Sequence, residues 1–354
     1  MPYTVRLEPI GIEMEVEEGE TILQAAFRQG IMLMHGCKEG QCASCKSILL
    51  DGDIELLRHS TFALPDYERE QDYILLCRSM AYSDLSVELL NYDEEILKLA
   101  IPVKSYPARV SGIERLTHDM RLLRIRLNDA ARFKFHAGQY VDLTAAQYGV
   151  TRSYSMASTP SSSRELDFII KVYPGGKFSS LVDGILKEGD AITVTGPYGI
   201  CCRRDNNGPL ILVGGGSGMA PLLSIFNDMI EQGQDRPVTF FYGARRPQDL
   251  FGIDQIEKAG QRLSTFRFVS GLSDVTEQDA WDGETGLIHE VVQRQLDRVT
   301  DDTTEAYVCG PPPLIDAVIP VLRIKGVDVE RIYFDKFFAA SPIESEMNPY
   351  AKGE

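Results

Sequence analysis

Three cysteines fall within nine positions of the stretch HGCKEGQCASCK, and their spacing is that of a metal-binding loop. Cys37, Cys42 and Cys45 form the pattern C-x4-C-x2-C, and Cys77 follows in YILLCRS. The first residues, MPYTVRLEPI, lack the basic and apolar regions of a signal peptide, so we expect a cytoplasmic protein. Cytoplasmic thiols stay reduced rather than pair as disulfides. The four cysteines therefore predict a metal centre.

The spacing also distinguishes between metals. Zinc sites usually join two short C-x2-C knuckles, whereas C-x4-C-x2-C with a distant fourth cysteine is the pattern of a [2Fe-2S] cluster. Gly36 and Gly40 allow the sharp bends that bring thiolates together around two irons. Zinc, or four structural thiols that bind nothing, is the alternative. His35 is expected either to tune the cluster or to be a surface or packing residue.

The sequence around this loop predicts a small β-rich domain. YTVRLEP and GIEMEVEE alternate with the period of a hairpin, ETILQAAFRQGI has the apolar spacing of a helix, and SVELL reads as a later strand. With these motifs, residues 1–97 resemble a plant-type ferredoxin of the β-grasp fold. The resemblance implies a domain that carries one electron at a time, with four cluster ligands: Cys37, Cys42, Cys45 and Cys77.

Residues 103–205 have a different sequence pattern from the first domain. Short alternating strands separated by Gly, Asn and Pro turns predict an antiparallel β-barrel. One strand, TRSYS, places Arg152 and Tyr154 on one face and Ser155 on the other. Arginine suits a phosphate, tyrosine can stack on a flat conjugated ring, and serine can donate to a ring nitrogen.

A second segment of this region also suits phosphate. YPGGKFSSLV runs from a strand through a Gly-Gly turn into a helix, so backbone N–H groups and a lysine could form an anion site there. Two such elements in one barrel indicate a dinucleotide. The region resembles the FAD-binding barrel of the ferredoxin reductase superfamily, whose R-x-Y-S motif matches Arg152, Tyr154 and Ser155. The resemblance implies that Arg152 meets the FAD pyrophosphate and that Tyr154 and Ser155 lie against the isoalloxazine. It also implies that the turn closes over the pyrophosphate with Gly175, Gly176, Lys177 and Ser179.

Residues 206–340 contain a strand, a glycine turn, a helix and a second strand, in GPLILVGGGSGMAPLLSIFNDMIEQG and PVTFFYGAR. This order predicts a βαβ unit with a parallel sheet, and hence an α/β domain. The turn is not the Rossmann fingerprint G-x-G-x-x-G, because Met219 or Pro221 takes its last place. The sequence GGGSGMAP instead resembles the nicotinamide-nucleotide turn of the same reductase superfamily. The resemblance implies nucleotide binding at Gly214, Gly215, Gly216, Gly218 and Pro221.

Two later motifs match the same superfamily. CGPPP begins with Cys309 and Gly310 at a strand end, where the resemblance places the cysteine close to the nicotinamide. A small buried residue that ends a strand is the alternative for Cys309. YFDKFF places Asp335 and Phe337 where relatives have an acidic and an aromatic residue near the flavin.

The choice of nicotinamide cofactor depends on charge. A 2′-phosphate needs arginine or lysine near the adenosine ribose, whereas a free 2′-hydroxyl is compatible with a carboxylate. One strand ends in YGARRP, which supplies Arg245 and Arg246, and the next apparent strand ends in GLSDV. Relatives that use NADP carry a serine-arginine pair at this later position, where Ser273 is followed by Asp274. We therefore expect NADH, and NADPH is the less favoured alternative.

Composition excludes some partners. The formal net charge of -16 argues against nucleic acid, and no apolar run approaches the roughly 18 residues of a spanning helix, so no membrane partner is expected. Residues 1–100 contain 8 Lys and Arg against 19 Asp and Glu, whereas the remaining 254 residues contain 28 against 33. The acidic first domain either steers association with a basic patch on a protein partner or only aids solubility.

The order of ferredoxin, FAD and NAD domains resembles the reductase components of bacterial multicomponent oxygenases. HGCKEGQCASCK and FDKF are most similar to reductases of soluble di-iron monooxygenases that hydroxylate propane, phenol or methane. The resemblance implies hydride transfer from NADH to FAD beside Tyr154 and Ser155, then single electrons through the cluster to the hydroxylase component. The alternatives are the reductase of a Rieske aromatic-ring dioxygenase and an iron-sulfur redox sensor or binding module without flavin turnover. The polar tail, residues 341–354, is expected to be disordered.

Overall fold

A computed structural model describes residues 2–128, 133–162 and 164–337. The chain forms two compact units. One contains the residues up to Arg204 together with Leu223–Met229, and the other contains Asp205–Leu222 together with the residues from Ile230 onward. The domain boundaries given above stay predictions, and the tail of residues 341–354 lies outside the described residues.

The first unit begins with a five-stranded mixed sheet in the order β2-β1-β7-β3-β5. Strand β1 runs antiparallel to β2 and parallel to β7. Strands β4 and β6 alternate in sequence with strands of this sheet and form a separate two-stranded ribbon. This is the β-grasp arrangement predicted from the sequence. The elements are β1 (Tyr3–Glu8), β2 (Ile12–Val16), α1 (Ile22–Arg28), β3 (Lys46–Asp51), β4 (Ile54–Leu56), α2 (Asp66–Arg69), β5 (Tyr73–Leu75), β6 (Ser79–Ala81), β7 (Leu85–Leu89) and α3 (Glu94–Lys98).

Local sequence explains the first elements. In β1 and β2, buried and more exposed residues alternate, as the period-2 pattern predicted. Helix α1 follows Thr21, which forms a capping box with Gln24: the Thr21 hydroxyl accepts from the Gln24 N–H, and the Gln24 side chain accepts from the Thr21 N–H. The helix then buries Ile22, Leu23 and Phe27 in the core of this domain.

The second sheet is antiparallel, with strand order β11-β10-β13-β8-β9-β12. Its two ends meet where Met156, just after β11, forms an antiparallel bridge with Phe168 of β12, so the sheet curls into the predicted barrel. The interior is apolar, with Leu123, Val141 and Phe168 fully buried. The elements are β8 (Lys104–Arg115), β9 (Met120–Leu127), β10 (Tyr140–Ala145), β11 (Val150–Ser155), β12 (Glu165–Lys171), α4 (Lys177–Val182) and β13 (Ala191–Tyr198).

The second unit contains a parallel sheet in the order β17-β16-β15-β14-β18-β19. Every residue of β14 and β18 is buried, as expected for central strands of a sheet with helices on both faces. The predicted βαβ unit is therefore confirmed. The elements are β14 (Leu210–Gly215), α5 (Met219–Glu231), β15 (Val238–Ala244), α6 (Ile253–Gly260), β16 (Phe266–Leu272), β17 (Glu284–Thr285), α7 (Ile288–Gln295), β18 (Glu305–Gly310), α8 (Pro312–Lys325) and β19 (Ile332–Lys336).

Candidate cofactor and electron-transfer sites

The four predicted cluster ligands form two pairs. The side chains of Cys37 and Cys42 are hydrogen-bond partners, and so are those of Cys45 and Cys77. The hydrogen bond from the Cys37 side chain lowers the pKa of Cys42 to about 5, although burial opposes this. Three of these cysteines lie on the loop before β3, and the turn after β5 brings in Cys77.

The loop supplies backbone donors to the sulfurs. The N–H of Cys37 lies 3.3 Å from Sγ of Cys42, and the N–H groups of Glu39 and Gln41 lie 3.4 and 3.2 Å from Sγ of Cys37. Such donors stabilise thiolates and tune the potential of a bound cluster. Gly36 gives the loop its close approach, because a Cβ there would lie 3.0 Å from Sγ of Cys42.

The pairing of the thiols fits two irons better than one ion. In a tetrahedral zinc site, Zn–S bonds of about 2.3 Å bring all four sulfurs to within about 4 Å of one another. Within the part of the chain that the structure describes, no three of the cysteine sulfurs lie within 4.8 Å of one another. A [2Fe-2S] cluster instead takes two cysteines on each iron. The residues present therefore fit the cluster that the spacing predicts.

His35 is buried and holds a defined tautomer, so the surface alternative for this residue is wrong. Its Nε2 accepts a hydrogen bond from the N–H of Gly199 at 3.0 Å, which leaves the proton on Nδ1 to be donated to the carbonyl of Leu33 at 2.7 Å. Burial lowers the pKa of His35 to about 4. The ring is therefore neutral at pH 7.

Strand β11 carries the predicted flavin residues in the expected alternation. Arg152 and Tyr154 share one face and are half-buried, and Ser155, at the end of the strand, is buried. The ring of Tyr154 packs on Phe178 of α4, with centroids 5.3 Å apart, so this contact joins the R-x-Y-S strand to the GGKFS segment. Burial raises the pKa of Tyr154, and its hydroxyl therefore stays protonated.

The Gly-Gly turn depends on its glycines. Gly175 has φ +75°, and a Cβ on Gly176 would lie 2.3 Å from the hydroxyl oxygen of Ser179. That oxygen accepts a hydrogen bond from the N–H of Tyr173 at 3.3 Å, which fixes the turn, and Lys177 is exposed at the start of α4. Helix α4 has only six residues.

The glycine turn after β14 is shaped by close backbone approach. A Cβ on Gly215 would lie 2.3 Å from the carbonyl oxygen of Gly243, and one on Gly218 would lie 2.3 Å from that of Cys309. A Cβ on Gly214 would lie 2.5 Å from the side chain of Leu222 on α5. Gly216 has φ +56°. Pro221 is buried in the first turn of α5, where proline is tolerated. Strand packing thus explains part of the glycine content.

The later motifs meet this turn at the carboxyl ends of the strands. Cys309 pairs with Gly214 on one side and with Asp335 on the other, and its side chain is fully buried. The N–H of Phe337 donates to the carbonyl of Gly310 at 2.9 Å. In open parallel sheets, ligands bind beyond the carboxyl ends of the strands, and the predicted nucleotide residues gather there.

Asp274 engages both arginines that could read a 2′-phosphate. Its Oδ2 lies 3.1 Å from Nε of Arg246 and 3.9 Å from Nη2 of Arg245. The N–H of Asp274 also donates to the carbonyl of Arg245 at 2.9 Å. One carboxylate thus pairs with both arginines and offsets one of the two positive charges at the end of β15.

Sequence reasoning missed one pair beside the cluster loop. Lys38 Nζ lies 2.9 and 2.8 Å from the two carboxylate oxygens of Asp142 on β10. A lysine between cysteines carries no signal of a distant partner. Asp142 does interrupt the apolar run YVDLT, and a polar residue in a barrel strand was the available clue.

Comparisons with known proteins agree with this architecture. Three family models match: the 2Fe-2S iron-sulfur cluster binding domain at residues 5–82, the oxidoreductase FAD-binding domain at 107–201 and the oxidoreductase NAD-binding domain at 212–319. Across the described residues, every helix is too short or too polar to cross a membrane.

Relatives extend over nearly the whole chain. The reductase component of propane 2-monooxygenase from Mycolicibacterium goodii is 45% identical over 345 residues, which cover 96% of this chain and 98% of that protein. The phenol 2-monooxygenase reductase component DmpP from Pseudomonas sp. strain CF600 is 36% identical, with 96% of each chain covered. The crystal structure of the Amycolatopsis cytochrome P450 reductase GcoB superposes with a TM-score of 0.85 at 27% identity and covers 96% of this chain and 100% of its own. The chain therefore belongs to the family of oxidoreductase components that combine a [2Fe-2S] domain, an FAD domain and an NAD domain to reduce multicomponent oxygenases.

Proposed function

We propose that this protein takes electrons from NADH and delivers them to the di-iron hydroxylase component of a soluble monooxygenase of the propane and phenol type. The observation that carries this proposal is the similarity, over nearly the full length, to reductase components of those two systems. The protein would act in the cytoplasm, where NADH is available and thiols stay reduced.

The three domains divide the chemistry. When bound, FAD can accept two electrons together as hydride and release them singly, and the [2Fe-2S] cluster carries those electrons one at a time. The chain supplies binding and orientation. The turn of Gly214, Gly215, Gly216 and Gly218 before Pro221 would admit the dinucleotide phosphates close to the backbone. Cys309 and Gly310 would form the wall beside the nicotinamide, and Asp335 and Phe337 would lie next to the reacting rings.

The barrel would orient the flavin. Arg152 would bind the pyrophosphate, and the protonated hydroxyl of Tyr154 and the hydroxyl of Ser155 would lie against the isoalloxazine. The turn of Gly176, Lys177 and Ser179 would close over the pyrophosphate. Contact between Tyr154 and Phe178 supports this arrangement because it joins the two segments.

NADH is proposed as the donor because of Asp274. This carboxylate pairs with Arg246 and Arg245, so a 2′-phosphate would have to displace it and would meet a like charge. A free 2′-hydroxyl can instead donate to the carboxylate.

An anaerobic titration with NADH tests the proposal. We expect bleaching of a flavin band, followed by a rhombic electron paramagnetic resonance signal from the reduced cluster. The reduced protein should then reduce the hydroxylase component of a propane or phenol monooxygenase faster than a Rieske dioxygenase. A faster reaction with the dioxygenase would replace the proposed acceptor. A colourless protein that contains zinc and ignores NADH would overturn the whole proposal.

A further inference from the structure

The loop between the first two cluster cysteines is held by an ion pair to the barrel. The side chains of Lys38 and Asp142 are only 17% and 21% exposed, and both carboxylate oxygens contact the ammonium group. The same ammonium lies 3.5 Å from the ring centroid of Tyr198 and 5.0 Å from that of Tyr140. Two ring faces and one carboxylate therefore replace the water that Lys38 loses.

Lys38 adopts this position at a local cost. Its φ of 58° lies in the left-handed region, which residues other than glycine, asparagine and aspartate seldom occupy. A residue held in that region needs surroundings that impose it, and such residues concentrate at functional sites. The contacts with Asp142, Tyr140 and Tyr198 supply those surroundings.

Two hydrogen bonds fix the loop just before Lys38. The hydroxyl of Tyr140 donates to the carbonyl of Gly36 at 3.0 Å, and the N–H of Gly199 donates to Nε2 of His35 at 3.0 Å. We use the name loop clamp for His35, Lys38, Tyr140, Asp142 and Tyr198. Together they define the position of the residue before Cys37 and the residue after it.

On the barrel side, the loop clamp lies directly against the predicted flavin strand. Asp142 is the ladder partner of Ser153 and accepts a hydrogen bond from its hydroxyl at 2.6 Å. Ser153 stands between Arg152 and Tyr154, and Tyr140 is the ladder partner of Ser155. A continuous series of side-chain contacts therefore links Lys38, which follows Cys37 directly, with the strand that carries R-x-Y-S.

We propose that Lys38, through its ion pair with Asp142, is the positioning residue that keeps the cluster-binding loop at a fixed distance from the flavin-binding strand. The inference rests on the proposed place of the flavin beside Tyr154 and Ser155. An ion pair suits this role because it specifies one register between two surfaces, which apolar contact alone does not. Loss of the pair slows the arrival of electrons at the cluster and leaves hydride transfer from NADH intact.

The chain offers a matched control at Lys46. This lysine also follows a cluster cysteine directly, is also 17% exposed, and pairs with Glu68, but that partner belongs to the ferredoxin domain. We would compare Lys38→Met with Lys46→Met in the complete, cofactor-loaded protein. Anaerobic rapid mixing with NADH follows the flavin and cluster bands separately. We expect Lys38→Met to slow cluster reduction about tenfold and to leave flavin reduction within about twofold, whereas Lys46→Met changes neither.

A second readout does not depend on electron transfer. Hydrogen-deuterium exchange of a peptide that covers Gly199 reports whether its N–H remains bonded to His35. Exchange should rise about tenfold in Lys38→Met and stay at the wild-type rate in Lys46→Met, because only the first variant opens the loop clamp. The resonance spectrum of the cluster should stay as in the wild type, and Lys46→Met controls for the loss of a positive charge beside a cluster cysteine.

Asp142→Asn makes the same test from the barrel side, away from the cysteines, and serves if Lys38→Met fails to assemble its cluster. It should reproduce both effects. Unchanged cluster reduction and unchanged Gly199 exchange in Asp142→Asn would overturn the inference, and so would equal effects in Lys38→Met and Lys46→Met. A wild-type protein whose flavin ignores NADH would instead contradict the proposed function, and the exchange comparison would still decide the role of Lys38.

Discussion

At the scale of single residues, Cys77 shows how a distant side chain completes a local motif. It reaches Cys45 only because β5 pairs with β3, whose first residue, Lys46, directly follows Cys45. The pairing of Lys46 with Leu75 brings the two strand ends together. The approach of these two predicted cluster ligands thus depends on the sheet as well as on the loop.

We expect Cys77→Ala to remove the cluster and leave the flavin reaction. NADH should still bleach the flavin and reduce ferricyanide, because both need only the FAD and NAD domains, whereas the cluster resonance signal should vanish. Cys202→Ala provides the control, since Cys202 is also buried but is not one of the four predicted ligands. A full cluster signal in Cys77→Ala would contradict the assignment.

Asp274→Ala should shift the preference between nicotinamide cofactors. Removal of the carboxylate frees Arg245 and Arg246 to bind a 2′-phosphate, so the ratio of kcat/KM for NADPH to that for NADH should rise about tenfold. Steady-state reduction of ferricyanide with each cofactor measures the ratio. Asp235→Ala is the control because Asp235 binds Ser264 before β16, at the opposite end of the same strands. An unchanged ratio in Asp274→Ala would contradict the proposed role.

At the scale of elements, the glycine turn after β14 serves packing as well as binding. Gly218→Ala would place a methyl group 2.3 Å from the carbonyl oxygen of Cys309. We expect a loss of about 1–3 kcal/mol in the free energy of unfolding, together with a higher KM for NADH, because the turn must move away from β18. Urea denaturation and NADH titration measure the two effects.

Gly184→Ala is the comparison for that experiment, since a methyl group there would meet nothing within 4 Å. It should leave both quantities unchanged. A KM that stays constant in Gly218→Ala while stability falls would assign this glycine to packing alone.

The sequence predicted these elements unevenly, for physical reasons. The cysteine spacing, the β1-β2 alternation and the β14 run are local patterns that directly encode a loop, a hairpin and a buried parallel strand. Lys38 and Asp142 lie 104 residues apart, and their contact depends on how two folded domains meet. No periodicity within either segment carries that information, so the loop clamp was visible only in the structure.

At the scale of the whole molecule, the net charge is distributed unevenly between the domains. The ferredoxin part holds most of the net negative charge, and the rest of the chain is nearly balanced. An acidic domain raises the rate of encounter with a basic surface, and salt screens that attraction over a Debye length of about 10 Å at 0.1 M.

We therefore expect transfer to the hydroxylase to depend on salt. The value of kcat/KM for the hydroxylase should fall about tenfold as ionic strength rises from about 0.05 M to about 0.5 M. Flavin reduction by NADH in the same salt series is the internal control and should change much less. Equal slopes for the two reactions would indicate that the acidic surface aids only solubility.

The closure of the barrel has a consequence for how the holoprotein is assembled. Within the described residues, strand β11 is at one end of the strand order, pairs along its length with β10 alone, and meets β12 through one bridge, Met156–Phe168. A segment with few partners opens locally at a lower free energy than the global unfolding of the domain. We expect the flavin-free protein to keep five barrel strands while β11 opens and recloses, so that FAD enters a nearly finished fold and acts as its last structural component.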